Sequence, residues 1–257
     1  VAVYVLNLDS FKDRWYTISK NLAKLNIDTT RVAGVDLRIV GALKSAVDEG
    51  LIPEAFNLTY AKIEASKAPE NMGFGILGTV GCASGHLRAL ATLSGEASSK
   101  KIAVVLEDDV ALEPDFIPRL WSLVKEELPC DWQVVSLASR CPYGRCISPH
   151  LTRVQPDGNE PASRCRHGVN YGFQGMVYRT GEAAALRRRL REVVFDDHRP
   201  HCLDVDVALA SISDEVAYYA VPFVQQPGFL REVKHETSAR DTINGGTLSS
   251  MQLGRYK

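Results

Sequence analysis

The run Val104-Val105-Leu106-Glu107-Asp108-Asp109-Val110 sets three consecutive carboxylates directly behind an apolar stretch. Like charges this close repel one another unless a cation, a set of hydrogen-bond donors or open water offsets them. If the backbone stays extended, Glu107 and Asp109 project to one side and Asp108 to the other. Two oxygen ligands on one side suit a hard divalent cation, Mn²⁺ or Mg²⁺. The same acids also suit an exposed turn before a helix, with Asp115 nearer the cap.

Acids at such a place need elements to position them, and the chain alternates strand with helix. Residues 1–8 form a β-rich apolar run that reads as a central strand. Ser10 and Asp13 then stand at capping-box spacing, and Phe11, Trp15, Ile18, Leu22 and Leu25 recur at helical intervals. A second strand is predicted over 29–36, ending at Asp36. Residues 41–80 read as short helical pieces, with 71–81 a mobile glycine-rich connection. Helix is predicted over 82–93, strand over 101–106, amphipathic helix over 115–128 and strand over 132–138. Strand over 175–180 and helix over 181–193 repeat the unit, and 215–224 reads as the last strand before a polar tail. This alternation predicts an α/β fold with helices packed on a mostly parallel sheet. In such sheets ligands sit at the carboxyl ends of the strands, where Glu107, Asp108 and Asp109 follow theirs.

The frame is that of one domain. With 257 residues, 30 basic and 31 acidic, the chain is sized for a single α/β domain and has no charge excess for nucleic-acid binding. No apolar run reaches membrane-span length, and the chain does not open as a signal peptide. Six cysteines are too few for a disulfide scaffold at this length. Cys141, Cys146, Cys165 and His167 hold donors enough for zinc, but at no standard finger spacing; disulfides or free thiols fit as well. The sequon Asn57-Leu58-Thr59 matters only in a lumenal setting, and a cytosolic setting is preferred, since no core motif demands a cysteine. Arg187, Arg188, Arg189 and Arg191 read as a solvated helix face. No Walker loop or G-x-G-x-x-G after a strand is present.

Taken together, "VYVLNLDSFKDR", "VAGVD" (32–36), "GTVGCASGHLRAL" (78–90) and "VVLEDDVAL" resemble, in that order, the motifs of glycosyltransferase family 25. That family includes bacterial lipooligosaccharide and collagen galactosyltransferases. "GMVYRTGEAAAL" and "CLDVDVAL" are similar to two later segments, so the resemblance spans about residues 3–238. The chain departs from the family at Gly85, where serine is usual, at Asp36-Leu37, where the family has Asp-Gly, and over Pro129–Val169.

The resemblance implies a GT-A type fold and inverting transfer of a hexose, galactose or glucose, from a UDP-sugar to a glycan or protein hydroxyl. The nucleotide-binding half would cover about 1–128 and the acceptor half about 129–257. Glu107 and Asp109 would hold the metal, joined by His235, and Asp108 would face the ribose or be held by backbone donors. Leu6, Asn7 and Arg14 would lie near uracil and diphosphate, Asp36 near the ribose and His86 near the sugar-phosphate. Asp204, with Asp206 in reserve, would take the acceptor's proton; apolar neighbours favour a raised carboxyl there, although either could instead cap the helix that follows. Two other readings stay open: a catalytically silent nucleotide-sugar binder, and a phosphoryl-transfer or hydrolase enzyme, for which Asn7-Leu8-Asp9 is the nearest thing to an aspartyl motif.

Overall fold

A computed structural model describes residues 1–67, 75–95, 100–140, 142–156, 172–196, 203–223 and 228–233. Its centre is an eight-stranded sheet in the order β2-β1-β3-β8-β5-β9-β7-β6. Chain order gives β1 (Ala2–Asn7), β2 (Thr30–Ala33), β3 (Ile102–Glu107), β5 (Val134–Ser139), β6 (Gly144–Ser148), β7 (Leu151–Val154), β8 (Gly175–Arg179) and β9 (Tyr218–Pro222). Neighbours β2, β1 and β3 are parallel, as are β5 and β9; only β7 and β8 run against the rest. This is the mixed, mostly parallel α/β sheet that the strand–helix alternation predicts. Because β8 lies between β3 and β5, both sides of the division at residue 128 share one sheet.

Alternation along β1 and β3 sorts their side chains onto two faces. Tyr4, Leu6, Ala103 and Val105 pack in one apolar core, and Val3, Val5, Val104 and Leu106 in another. The first core receives α4 (Ile76–Gly95), α6 (Ala183–Val194) and α7 (Val205–Ser211). The second receives α1 (Lys12–Lys24) and α5 (Phe116–Ser122). A small antiparallel pair, β4 (Val110–Leu112) with β10 (Leu230–Glu232), stands beside them. The short helices α2 (Ala42–Asp48) and α3 (Leu58–Lys67) fall where helical pieces were predicted. Among the described residues no helix is long and apolar enough to cross a membrane.

Several expectations are corrected. Residues 76–81 are not a loose connection but the first turns of the 20-residue helix α4. A Cβ on Gly81 would lie 2.5 Å from the Val35 carbonyl oxygen, so glycine serves close packing there rather than breaking the helix. His86 therefore sits in mid-helix, not at a helix opening. Phe11, not Ser10, is the N-cap of α1, and no side chain caps that helix. β9 is not the last strand, since β10 follows. β6 and β7 are strands where none was predicted, and the helix after Asp115 ends in a short π-helical stretch over Leu123–Glu127. The arginine run is only partly solvated: Arg187 donates to the Gly50 carbonyl at 3.3 Å and Arg189 holds Glu215 through two bonds of 2.7 and 2.6 Å. Asn57 caps α3, its Oδ1 accepting the Tyr60 N–H at 2.9 Å.

Candidate functional site

A cleft of about 300 Å³ opens at the carboxyl ends of β1 and β3. Asn7 ends β1, Glu107 ends β3, and α4 forms the opposite wall through Gly78, Cys82 and His86. Leu6, Arg14, Asp36, Asp108 and Asp109 line the same space. All eight N-terminal residues singled out from the sequence thus meet in one place: Leu6, Asn7, Arg14, Asp36, His86, Glu107, Asp108 and Asp109.

The acids part company as the pleat requires. Glu107 continues the Val105 face, toward α4, and Asp108 continues the Leu106 face, toward α1. The chain then turns, so Asp109 is placed by a turn rather than by an extended strand. Asp108 is held by side chains, not by the expected backbone donors. Asn7 Nδ2 donates to its Oδ2 at 2.7 Å and Arg14 Nη1 to its Oδ1 at 3.2 Å, all three side chains being buried. Arg31 orients Asn7, donating to Asn7 Oδ1 at 2.9 Å and to its carbonyl at 3.1 Å. Phe11 lies under the Arg14 guanidinium at 4.5 Å, adding cation–π attraction.

Glu107 faces a different set. Its Oε1 lies 3.1 Å from His86 Nε2 and 3.7 Å from Cys82 Sγ. His86 is only 1 % exposed, and its Nδ1 is buried without a hydrogen-bond partner among the described residues. Phe173 meets the ring edge-on at 4.8 Å.

Asp109 is the least compensated of the three. Its Oδ1 is shut off from solvent and has no hydrogen-bond partner among the described residues. Burial, then repulsion from Glu107 and Asp108, pushes its carboxyl up to about 7. Two unit charges about 4 Å apart repel by roughly 4 kcal/mol at an effective dielectric near 20. A neutral-pH site of this kind either takes up a proton or takes up a cation.

At the mouth of the cleft Asp36 is gripped by Arg38, through Nε at 2.7 Å, Nη2 at 2.6 Å and the backbone N–H at 3.1 Å. The guanidinium holds the Asp36 carboxyl below its ordinary range. Arg38, Arg31 and Gln174, all in or behind this cleft, went unmarked in the sequence, and Cys82, inside the 78–90 motif, was given no role there. Arg38 stands two residues beyond a marked aspartate, which is the only signal it offers.

Asp204 and Asp206 are not among the residues lining this cleft. Asp204 is the half-buried N-cap of α7 and makes no side-chain capping bond. Asp206 is buried, accepts the Val207 N–H at 2.9 Å and the Gly172 N–H at 3.3 Å, and is pushed by burial up to about 7. His235, Cys141, Cys165 and His167 lie outside the described residues; Cys146 is a free, exposed thiol on β6. Asp9, from the aspartyl-type segment, is exposed and paired with Arg31 at 2.6 Å.

No protein-family model and no curated protein matches the chain by sequence. Among solved structures it is similar to a glycosyltransferase involved in glycosylation of the major capsid of PBCV-1, at 6% identity and a TM-score of 0.48, over 95% of this chain and 97% of that one. It is similar to galactosyltransferase LgtC at 9% identity and 0.42, over 85% and 73%. It is also similar to a UDP-glucose pyrophosphorylase at 9% identity and 0.43, over 90% and 93%.

Proposed function

We propose that this chain is a metal-dependent, inverting glycosyltransferase with a GT-A type fold, working as one domain, that moves galactose or glucose from a UDP-sugar to a glycan or protein hydroxyl. The observation that carries the reading is Asp109 Oδ1, a buried carboxylate oxygen with no partner among the described residues, beside two further acids in an open cleft. Buried acceptors are nearly always satisfied, and a divalent cation would satisfy this one while cancelling the repulsion. The donor set fits: Glu107 and Asp109 offer oxygen, which Mn²⁺ and Mg²⁺ favour. When bound, the cation would supply Lewis-acid stabilisation to a departing diphosphate.

The protein's own residues do the rest. Asn7 and Arg14 hold Asp108 in place, so its charge is available to ribose hydroxyls without searching rotamers. Asp36, fixed by Arg38, presents a second carboxylate for the ribose, and the guanidinium offers positive charge at the mouth. His86 orients Glu107. Asp204, the more exposed of its pair, takes the acceptor's proton, and Asp206 stands behind it. The order of motifs shared with glycosyltransferase family 25 supports this assignment of parts.

The test is calorimetry of UDP binding with Mn²⁺ and in excess chelator, followed by hydrolysis of a panel of nucleotide sugars. UDP affinity is expected only with the metal. Full UDP affinity in chelator would overturn the reading.

A further inference from the structure

Cys82, His86 and Glu107 present a sulfur, a nitrogen and an oxygen within 4.8 Å of one another. Cys82 and His86 are four residues apart on α4, hence neighbours on one helical face. That face meets the end of β3, which delivers Glu107. A tetrahedral Zn²⁺, with bonds of about 2.0–2.1 Å to nitrogen and oxygen and about 2.3 Å to sulfur, spaces its ligands about 3.3 Å (N to O) and 3.6 Å (S to O) apart. The spacings here are 3.1 Å for His86 Nε2 to Glu107 Oε1 and 3.7 Å for Cys82 Sγ to the same oxygen. Two edges of the triangle therefore already match a zinc tetrahedron, and the third, from Cys82 Sγ to the His86 ring nitrogen, lies within 4.8 Å and closes as the metal binds. His86 Nδ1 has no hydrogen-bond partner among the described residues, so no competing bond there turns the ring from this side.

We propose that Cys82, His86 and Glu107 form a Zn²⁺ site on the α4 wall of the cleft, with its fourth position open to the cleft. It is chemically distinct from the oxygen-only pair of Glu107 and Asp109: thiolate and imidazole select zinc, and carboxylates alone select Mn²⁺ or Mg²⁺. The Cys82 thiol gives up its proton as the sulfur–zinc bond forms, so binding releases protons. The two sites share Glu107. Zinc on the α4 side thus draws that carboxylate from Asp109, and Zn²⁺ antagonises Mn²⁺-dependent UDP binding; this consequence alone rests on the function proposed above.

The experiment uses Co²⁺ as an optical stand-in for zinc, titrated into the full chain under reducing, oxygen-free conditions. Expected is a near-ultraviolet thiolate-to-cobalt band saturating at one equivalent and discharged by Zn²⁺. Cys82→Ser abolishes the band and His86→Gln weakens cobalt affinity tenfold or more, whereas Asp109→Ala and Cys146→Ser keep it. Circular dichroism confirms that each variant is folded. Absence of the band in wild type, or its persistence in folded Cys82→Ser, overturns the site. A cobalt band in a protein that fails to bind UDP with Mn²⁺ leaves the zinc site standing and removes the donor reading.

Discussion

Asp109 concentrates the chemistry of the cleft in a single side chain. Its carboxyl, pushed up to about 7, is part-protonated at neutral pH, so protons compete with any cation there. Mn²⁺ affinity is therefore expected to fall as pH drops below about 7 and to level off above it. Asp109→Ala is expected to abolish Mn²⁺-dependent UDP binding without unfolding the chain, because removing one of three like charges also relieves repulsion. Calorimetry at pH 6 and 8, with thermal unfolding of the variant, checks both. Arg14 makes the opposite case. Its pair with Asp108 is buried on both sides, at 10% side-chain exposure each. Breaking a buried pair strands a charge at a cost of about 3–5 kcal/mol, so Arg14→Met should lower urea stability by that order. A loss below about 1 kcal/mol would mean Asn7 alone suffices. Asn7, Arg14 and Asp108 were each legible from motif position, but their mutual bonds were not. Residues 7 and 108 meet only because β1 and β3 pair in parallel, Leu6 opposite Glu107.

The helix α4 shows where local pattern misleads. Glycines at 78 and 81 argue for a break, since each costs up to about 1 kcal/mol in a helix interior relative to alanine. Tertiary packing overrides that preference, because the helix must pass within contact distance of Val35 to bring Cys82 and His86 to the cleft. Gly81→Ala sets two effects against each other. Alanine's propensity favours the variant by about 1 kcal/mol. The new Cβ would stand 2.5 Å from a backbone oxygen that cannot swing aside, and overpacking of that kind costs about 1–3 kcal/mol. The clash should win: a lower urea midpoint and weaker UDP binding, since Val35 precedes Asp36 at the cleft mouth. Gly95→Ala, with nothing within 4 Å of the new carbon, is the matched control and should be neutral or stabilising. Equal midpoints for the two variants would refute the packing account. The central strands β1, β3, β5, β8 and β9, by contrast, were readable because apolar runs buried on both faces have few other uses, whereas the short β4, β6, β7 and β10 carry no such run and went unpredicted.

Across the whole molecule, the sheet order was beyond the reach of a single sequence. Insertion of β8 between β3 and β5 depends on long-range pairing that leaves no local mark. One consequence is electrostatic. Asp206, from the second half, lies close enough to feel Glu107, though its own burial dominates in raising it to about 7. A carboxyl raised above its ordinary 3.8 stabilises the fold while protonated. That contribution is complete below about pH 4 and is lost as pH rises to about 7, at up to about 1.4 kcal/mol per pH unit. Asp109 adds a second loss over the same window, with the same sign. Stability should thus decline from pH 4 to 7, less steeply where Mn²⁺ holds Asp109 ionised. Asp206→Asn removes its share: the profile becomes shallower, and at pH 8 the variant gains on wild type. The gain is trimmed by about 1 kcal/mol, because the new amide cannot accept the N–H of both Val207 and Gly172. Urea unfolding at pH 5 and 8, with and without Mn²⁺, separates the two carboxyls. The metal should flatten the wild-type slope through Asp109 and leave the Asp206 share in place. Parallel profiles for wild type and Asp206→Asn would show that Asp206 ionises freely in the folded chain.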